Sequence, residues 1–337
     1  MSINKNIDFK AIIWYISKKR QKEINLKQIY ITKNEKSLSG FLQESYPLLK
    51  TGTLNKFLRA NKIKVNGKKA PLNTALKKGD VINLYIEDTY FEKPNKNNAF
   101  KFANRNIDIV YEDDNLLVVN KPAGIAVIDD NWQNYDTLVN RVKNHYFSNN
   151  DDCSPALCHR LDTGTSGLVM LAKNEEFLQF MLDMFKDKEL EKEYICVVKG
   201  IPKQKSSVHN AYLTKNAKDA YVTVTPKAKN NMSKPITTKV NLVESYSDYS
   251  LLNVGLITGR THQIRAHLAY LEMPILGDSR YGINNLNRQL KMKYQALCSK
   301  KIKFGQISDK RYSYLSDKEF ICPDPWFVES FYKREFK

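Results

Sequence analysis

The apolar positions of this chain change period several times, and each change marks a new element. Ile29-Tyr30-Ile31 reads as a strand. Leu38, Phe41 and Leu42, and again Leu54, Phe57 and Leu58, fall at i, i+3, i+4, the spacing of one helix face. Ile63-Lys64-Val65 then runs into Asn66-Gly67, a strong hairpin signal, and Gly79-Asp80 precedes the strand Val81–Ile86. Two helices on a small sheet are predicted over residues 26–90. Residues 91–104, rich in Asn, Lys and Phe, read as a linker. A hairpin follows, Ile107–Tyr111 and Leu116–Asn120, which Lys121-Pro122 terminates because proline removes a ladder donor. Thr137–Val142 is predicted helical. Leu168-Val169-Met170-Leu171-Ala172 reads as a buried strand.

Asn174 is placed to cap a helix with Glu175 and Glu176 in its first turn and Leu178, Met181, Leu182 and Phe185 as its buried stripe. Further strands are expected at Tyr194–Val198, Thr237–Val243 and Leu251–Leu256, and a helix at Gln263–Leu271. Residues 201–236 and 282–320 look like loop-rich insertions. No repeat of fixed period is found. Hairpins with interspersed helices, without strict βαβ alternation, give an α+β class: residues 105–337 built on a mixed, largely antiparallel sheet, preceded by the small module.

Charge adds a partner to this picture. The 337 residues carry 54 Lys+Arg against 36 Asp+Glu, a net of +18, and residues 1–100 hold +12 of it. A basic module before a more balanced body suggests a nucleic-acid handle on an enzyme, with Arg59, Lys62, Lys64, Lys68 and Lys69 as its contact residues. Residues 1–25, an extension around Ile12–Ile16, read equally as a helix or an arm. Five scattered cysteines argue against a disulfide framework. Cys153 and Cys158 beside His159 fit no common zinc spacing, and His262 and His267, five apart, face different ways on a helix. No metal or cofactor is expected. No apolar run is long enough to span a bilayer, and a cytoplasmic protein without membrane contact is expected.

The stretch richest in chemistry is His159-Arg160-Leu161-Asp162-Thr163-Gly164-Thr165-Ser166-Gly167, a carboxylate in a turn at the entrance of a buried strand. An Asp in such a turn is commonly only a turn former. Two further segments stand with it, Glu191-Lys192-Glu193-Tyr194 and Leu256 to His267. Together they resemble the catalytic segments of the RluA-type pseudouridine synthases, and the resemblance spans about residues 26–335. The N-terminal module, from Gly40 to Ile86, resembles the αL RNA-binding module of the ribosomal-protein-S-four type. Ser37-Leu38-Ser39-Gly40 stands where that module often carries a charged pair.

The resemblance implies an isomerase that breaks the C1′–N1 bond of a uridine, turns the uracil and rejoins it through C5. Asp162 would act as nucleophile or base, a choice that stays open. Arg260 would pair with it, since a carboxylate in a cleft needs a cation to stay charged. Tyr194 would stack on the uracil. Arg160, helped by His159, would contact the RNA and fill the space left by the flipped base. Lys234 to Thr238 resembles a supporting strand of the family. Large-subunit ribosomal RNA is the expected substrate and a monomer the expected state. Transfer RNA is the alternative substrate, and a noncatalytic RNA-binding or ribosome assembly factor the alternative function. A glycoside hydrolase would need a second carboxylate flanking the bond, and none is evident near Asp162.

Overall fold

The protein is described by a computed structural model covering residues 24–35, 37–128, 135–216 and 221–336. The expected extension, residues 1–25, falls almost wholly outside them. The chain divides into two compact units after Phe102.

In the first unit, β1 (Ile24–Tyr30), α1 (Leu38–Ser45), α2 (Thr51–Arg59), β2 (Ile63–Val65) and β3 (Val81–Glu87) form two helices on a three-stranded antiparallel sheet ordered β1-β3-β2. Ser37 caps α1 by accepting from Gly40 N at 3.0 Å. Leu38, Leu42, Leu54, Phe57 and Leu58, the positions of the helical pattern, close on Ile63, Ile82, Leu84 and Ile86. Asn66 and Gly67 both take positive φ (50° and 77°), as the tight Val65–Lys68 turn requires. The Asn66 side chain ties that turn to β3, donating to Asp80 Oδ1 at 2.8 Å and accepting from Val81 N at 2.9 Å.

The second unit contains β4 (Ile109–Glu112), β5 (Leu116–Lys121), α3 (Leu138–Ser148), β6 (Ala156–Leu157), β7 (Ser166–Ala172), α4 (Glu175–Asp187), β8 (Leu190–Lys199), β9 (Ser206–Lys215), β10 (Val222–Thr225), β11 (Lys234–Tyr246), β12 (Tyr249–Leu256), α5 (Gln263–Tyr270), α6 (Asn284–Gln289), β13 (Leu297–Phe304), β14 (Glu319–Ile321) and α7 (Trp326–Tyr332). Its strands make an eleven-stranded sheet, β10-β9-β11-β12-β8-β13-β7-β5-β4, with β14 on β13 and β6 on β7. Among the described pairings only β13 against β7 is parallel. One layer of core places α4 and α7 on the sheet through Phe177, Met181, Met184, Phe327 and Phe331. The other places α3 and α5 on it through Leu138, Val142, Ile264 and Leu268.

Three expectations need correction. The buried stripe of α4 is Phe177-Met181-Met184, and Leu182 is 43% exposed. Asn174 does cap this helix, accepting from Phe177 N, but the apolar residues run nearly all round it, so their spacing does not fix the phase. Residues 201–236 hold two strands, β9 and β10, where loops are expected. Residues 282–320 hold β13, the central strand joining the two halves of the sheet. Lys300, Lys301 and Lys303 break the apolar run of β13. Lys301 is paired with Glu193 at 2.6 Å and the lysines lie half-buried among buried apolar residues, so the strand is largely buried while looking polar in sequence.

Candidate active site

Asp162 lies in the loop between β6 and β7, and that loop is held by hydrogen bonds at several points. Thr165 N donates to the Asp162 carbonyl at 3.0 Å, closing a turn, and Gly124 N donates to the Thr163 carbonyl at 2.8 Å. Thr165 Oγ1 accepts from Gln295 Nε2 at 2.8 Å. The Lys121 ammonium is fully buried in a cage of three backbone carbonyls, those of Pro122, Ile125 and Thr163, at 2.8–3.2 Å. Burial draws its pKa down to about 8, against the attraction of Asp162. Gly167, the second residue of β7, takes φ +106°, and a Cβ there would lie 2.3 Å from the Ser299 carbonyl of β13. Only glycine allows the loop to enter the sheet at this point.

The cation beside Asp162 is Arg265, on the first turns of α5. Its Nη1 donates to Asp162 Oδ2 at 2.8 Å. Its Nε and Nη2 grip Asp278, at 2.6 and 3.0 Å, in a two-pronged bond. Asp278 is fully buried, and its Oδ1 also accepts from Arg280 N and Tyr281 N. Burial opposes both charges, but the ion pairs win: Arg265 is raised well above its ordinary value and Asp278 is lowered. The Tyr281 ring stacks against the guanidinium at 5.3 Å. One guanidinium thus spans a structural carboxylate and a cleft carboxylate.

The expected partner, Arg260, is not the one found. It is exposed, in the loop before α5, and lines the same cleft without bonding Asp162. That loop is fixed by Gln263, whose Oε1 accepts from Arg260 N (3.1 Å) and Thr258 Oγ1 (2.9 Å), and whose Nε2 donates to the Thr237 carbonyl and Thr238 Oγ1, each at 3.1 Å. The chain turns into α5 only at His262, at φ +54°, so Arg260 precedes the helix while Arg265 lies on its buried side. An arginine inside the apolar face Ile264–Leu268 was the legible signal. His262 Nε2 stands 3.7 Å from Asp162 Oδ2, and its Nδ1 meets the Tyr281 hydroxyl at 3.0 Å. Burial lowers its pKa, with Asp162 opposing and Arg265 reinforcing, so at neutral pH the charge facing Asp162 is the guanidinium. His267 instead meets Thr238 Oγ1 at 2.9 Å, deep behind the site.

Tyr194 lies on β8 between Val254 and Ser299 of the neighbouring strands, buried at the floor of the cleft. Burial pushes its hydroxyl up to about 12, Ser299 offsetting part and the negative Asp162 adding to it. Arg160 is exposed on the cleft wall. His159, expected beside it as an RNA contact, is otherwise engaged. Its Nε2 accepts from Met170 N at 3.1 Å and its ring packs on Phe185 at 4.9 Å. Burial and the nearby Lys192 push its pKa down to about 3, so it is an uncharged tether between loop and β7. The cleft measures about 1880 Å³, well beyond a small-molecule pocket, and nine Lys and Arg line it against two carboxylates, Asp162 and Glu191. In the first unit Arg59 and Lys68 are exposed, while Lys62 and Lys64 lie half-buried near the Phe57 and Tyr85 rings.

A family model described as RNA pseudouridylate synthase matches residues 115–270, the segment holding Asp162, Tyr194 and Arg265. An uncharacterized RNA pseudouridine synthase of Mycoplasma pneumoniae is 32% identical over 304 residues, covering 86% of this chain and 93% of the relative. The chain belongs to the RNA pseudouridylate synthase family. Ribosomal large subunit pseudouridine synthase C of Buchnera aphidicola is 32% identical to this synthase, covering 78% of its chain and 83% of the relative. Ribosomal large subunit pseudouridine synthase D of Borreliella burgdorferi is 33% identical, covering 81% and 82%. The fold of the synthase is shared with the human RNA pseudouridylate synthase domain containing 4 protein (TM-score 0.55, 19% identity, 68% of this chain and 94% of that one). The human domain containing 1 protein matches similarly (TM-score 0.54, 22% identity, 70% and 87%). No helix of the synthase among the described residues is long and apolar enough to cross a membrane.

Proposed function

We propose that this synthase converts specific uridines of large-subunit ribosomal RNA to pseudouridine, with Asp162 as the reacting carboxylate. The observation that carries this reading is the Asp162–Arg265 pair at 2.8 Å, in a cationic cleft sized for a polynucleotide. The reaction is an isomerisation: the C1′–N1 bond breaks, uracil turns, a C1′–C5 bond forms, and the proton leaving C5 is balanced by one gained at N1. One positioned carboxylate can serve it, by adding to the nucleoside or by taking a ribose proton. Arg265 holds that carboxylate in one rotamer and supplies fixed counter-charge, while its second grip on Asp278 keeps it from swinging into the RNA.

In this reading the target base is flipped out, at roughly a few kcal/mol, onto the Tyr194 ring. Arg160 lies on the wall where the vacated stack would be filled, and Arg260 at the mouth suits a phosphate. The first unit acts as an RNA-binding module through Arg59, Lys62, Lys64 and Lys68, and the synthase works as a cytoplasmic monomer. The substrate follows from the ribosomal large subunit names of the relatives and from the +18 charge. Asp162→Asn should abolish pseudouridine formation in large-subunit RNA, mapped in a strain carrying only that variant, while RNA affinity in vitro stays within about threefold. Full modification by the variant would refute the role of Asp162. Sites lost from transfer RNA instead would replace the substrate.

A further inference from the structure

The cleft cations are not equivalent. Arg265 is neutralised by Asp162 and Asp278, and Arg160 and Arg260 are exposed to water. Lys192 is neither. It sits on β8 two residues before Tyr194, half-buried in the cleft wall. Its ammonium lies 5.1 Å from the Phe185 ring, and a side chain at Gly259 would begin 3.4 Å from it. Among the described residues it has no hydrogen bond and no ion pair. The acidic neighbours do not pair with it: Glu193 is committed to Lys301 at 2.6 Å, and Glu191, which lines the same cleft, is exposed and forms no ion pair with it. His159, beside it, is uncharged. Burial alone lowers its pKa. A desolvated cation without a counter-ion costs free energy, and a cleft that keeps one is built for an anion that arrives with the substrate.

We propose that Lys192 binds a backbone phosphate next to the target uridine, and so sets how deeply the flipped nucleotide enters over Tyr194. The proposal rests on the pseudouridine synthase reading for the identity of the anion, a phosphodiester. Two residues of strand span about 7 Å, the scale of one nucleotide, so a base on Tyr194 brings its own phosphate or the next one to Lys192. The Phe185 ring and the bare backbone at Gly259 wall off the ammonium from other directions and leave the cleft side open. Lys192 acts here as a positioning residue: it holds the chain and leaves the bond chemistry to Asp162.

The test uses the full chain and a large-subunit RNA fragment containing a mapped site. The fragment is made with ordinary phosphodiesters and with a neutral methylphosphonate at each linkage flanking the target. For wild type, one methylphosphonate should weaken binding by about tenfold or more. Lys192→Gln should bind the ordinary fragment about as weakly, be insensitive to that one linkage, and lose about 0.7 from the slope of log affinity against log salt. Lys192→Arg should restore most of the affinity. Lys192→Gln losing affinity while remaining sensitive to every linkage would show a merely structural lysine and overturn the proposal, as would wild-type affinity in Lys192→Gln. Binding is read without turnover. Absence of pseudouridine from wild-type reactions would sink the synthase reading alone, whereas the linkage pattern decides Lys192.

Discussion

Removing the guanidinium of Arg265 should cost the protein twice, and the two losses can be separated. Arg265→Gln leaves Asp278 fully buried with only the Arg280 and Tyr281 amides as donors. Breaking a buried ion pair from one side costs about 3–5 kcal/mol, and the two surviving amide bonds place this case near the lower end, at about 3 kcal/mol. With a urea dependence of roughly 1–3 kcal/mol per molar, the unfolding midpoint of the variant should fall by at least about 1 M. Adding Asp278→Asn removes the stranded charge, and the double variant should recover most of that shift. Pseudouridine formation should not return with it, because Asp162 still lacks its counter-charge. The assay is urea unfolding of the full chain by circular dichroism beside single-turnover pseudouridine formation. Arg265→Gln with a wild-type midpoint would show that the fork to Asp278 carries no stability. Recovery of activity in the double variant would show that Arg265 serves Asp162 only through the fold.

Gly167→Ala, with its Cβ 2.3 Å from the Ser299 carbonyl at φ +106°, should destabilise by at least about 2 kcal/mol and lower the thermal midpoint; an unchanged midpoint would contradict the β7–β13 register. His159 has a folded pKa of about 3 against about 6.5 when unfolded, so the unfolded state takes up the proton first. Its contribution is complete above about pH 6.5 and is lost as pH falls toward 3. His159→Gln should flatten that acid limb of urea midpoint against pH, and an identical limb would refute the tether. Arg260→Leu should weaken RNA binding and its salt dependence but leave the single-turnover rate at saturating RNA within about threefold; a hundredfold fall in that rate would put Arg260 back into the chemistry.

The sequence was most informative where local rules govern. Helix spacing at Leu38–Leu42 and Leu54–Leu58, the Asn66-Gly67 turn and the Asn174 cap all describe interactions within a few residues, and each is found. What the chain hides is long-range. The pairing of Asp162 with Arg265 rather than Arg260 depends on where α5 begins, and His262 at φ +54° delays that start. Asp278 gives no sign in sequence that it is fully buried, because its partner lies 13 positions away on another element. The strand β13 was concealed by three lysines that find solvent or a carboxylate at its far half. The α4 stripe shifted because Phe177 and Met184 take the fully buried places while Leu178 and Phe185 pack at the core's margin and Leu182 is exposed, a choice made by packing rather than by period.

The placement of β13 sets the order in which the protein can become an enzyme. Tyr194 on β8 and Asp162 before β7 are both synthesised early, yet the strand that seats between them comes at Leu297–Phe304. Until it emerges from the ribosome, the halves of the sheet present two long open edges to one another and to other nascent chains. Their union is a non-local closure of high contact order, hence a slow step. A chain interrupted before residue 297 holds Asp162 and Arg265 but lacks the strand that joins the two halves of the sheet, so the cleft cannot assemble until β13 has been made.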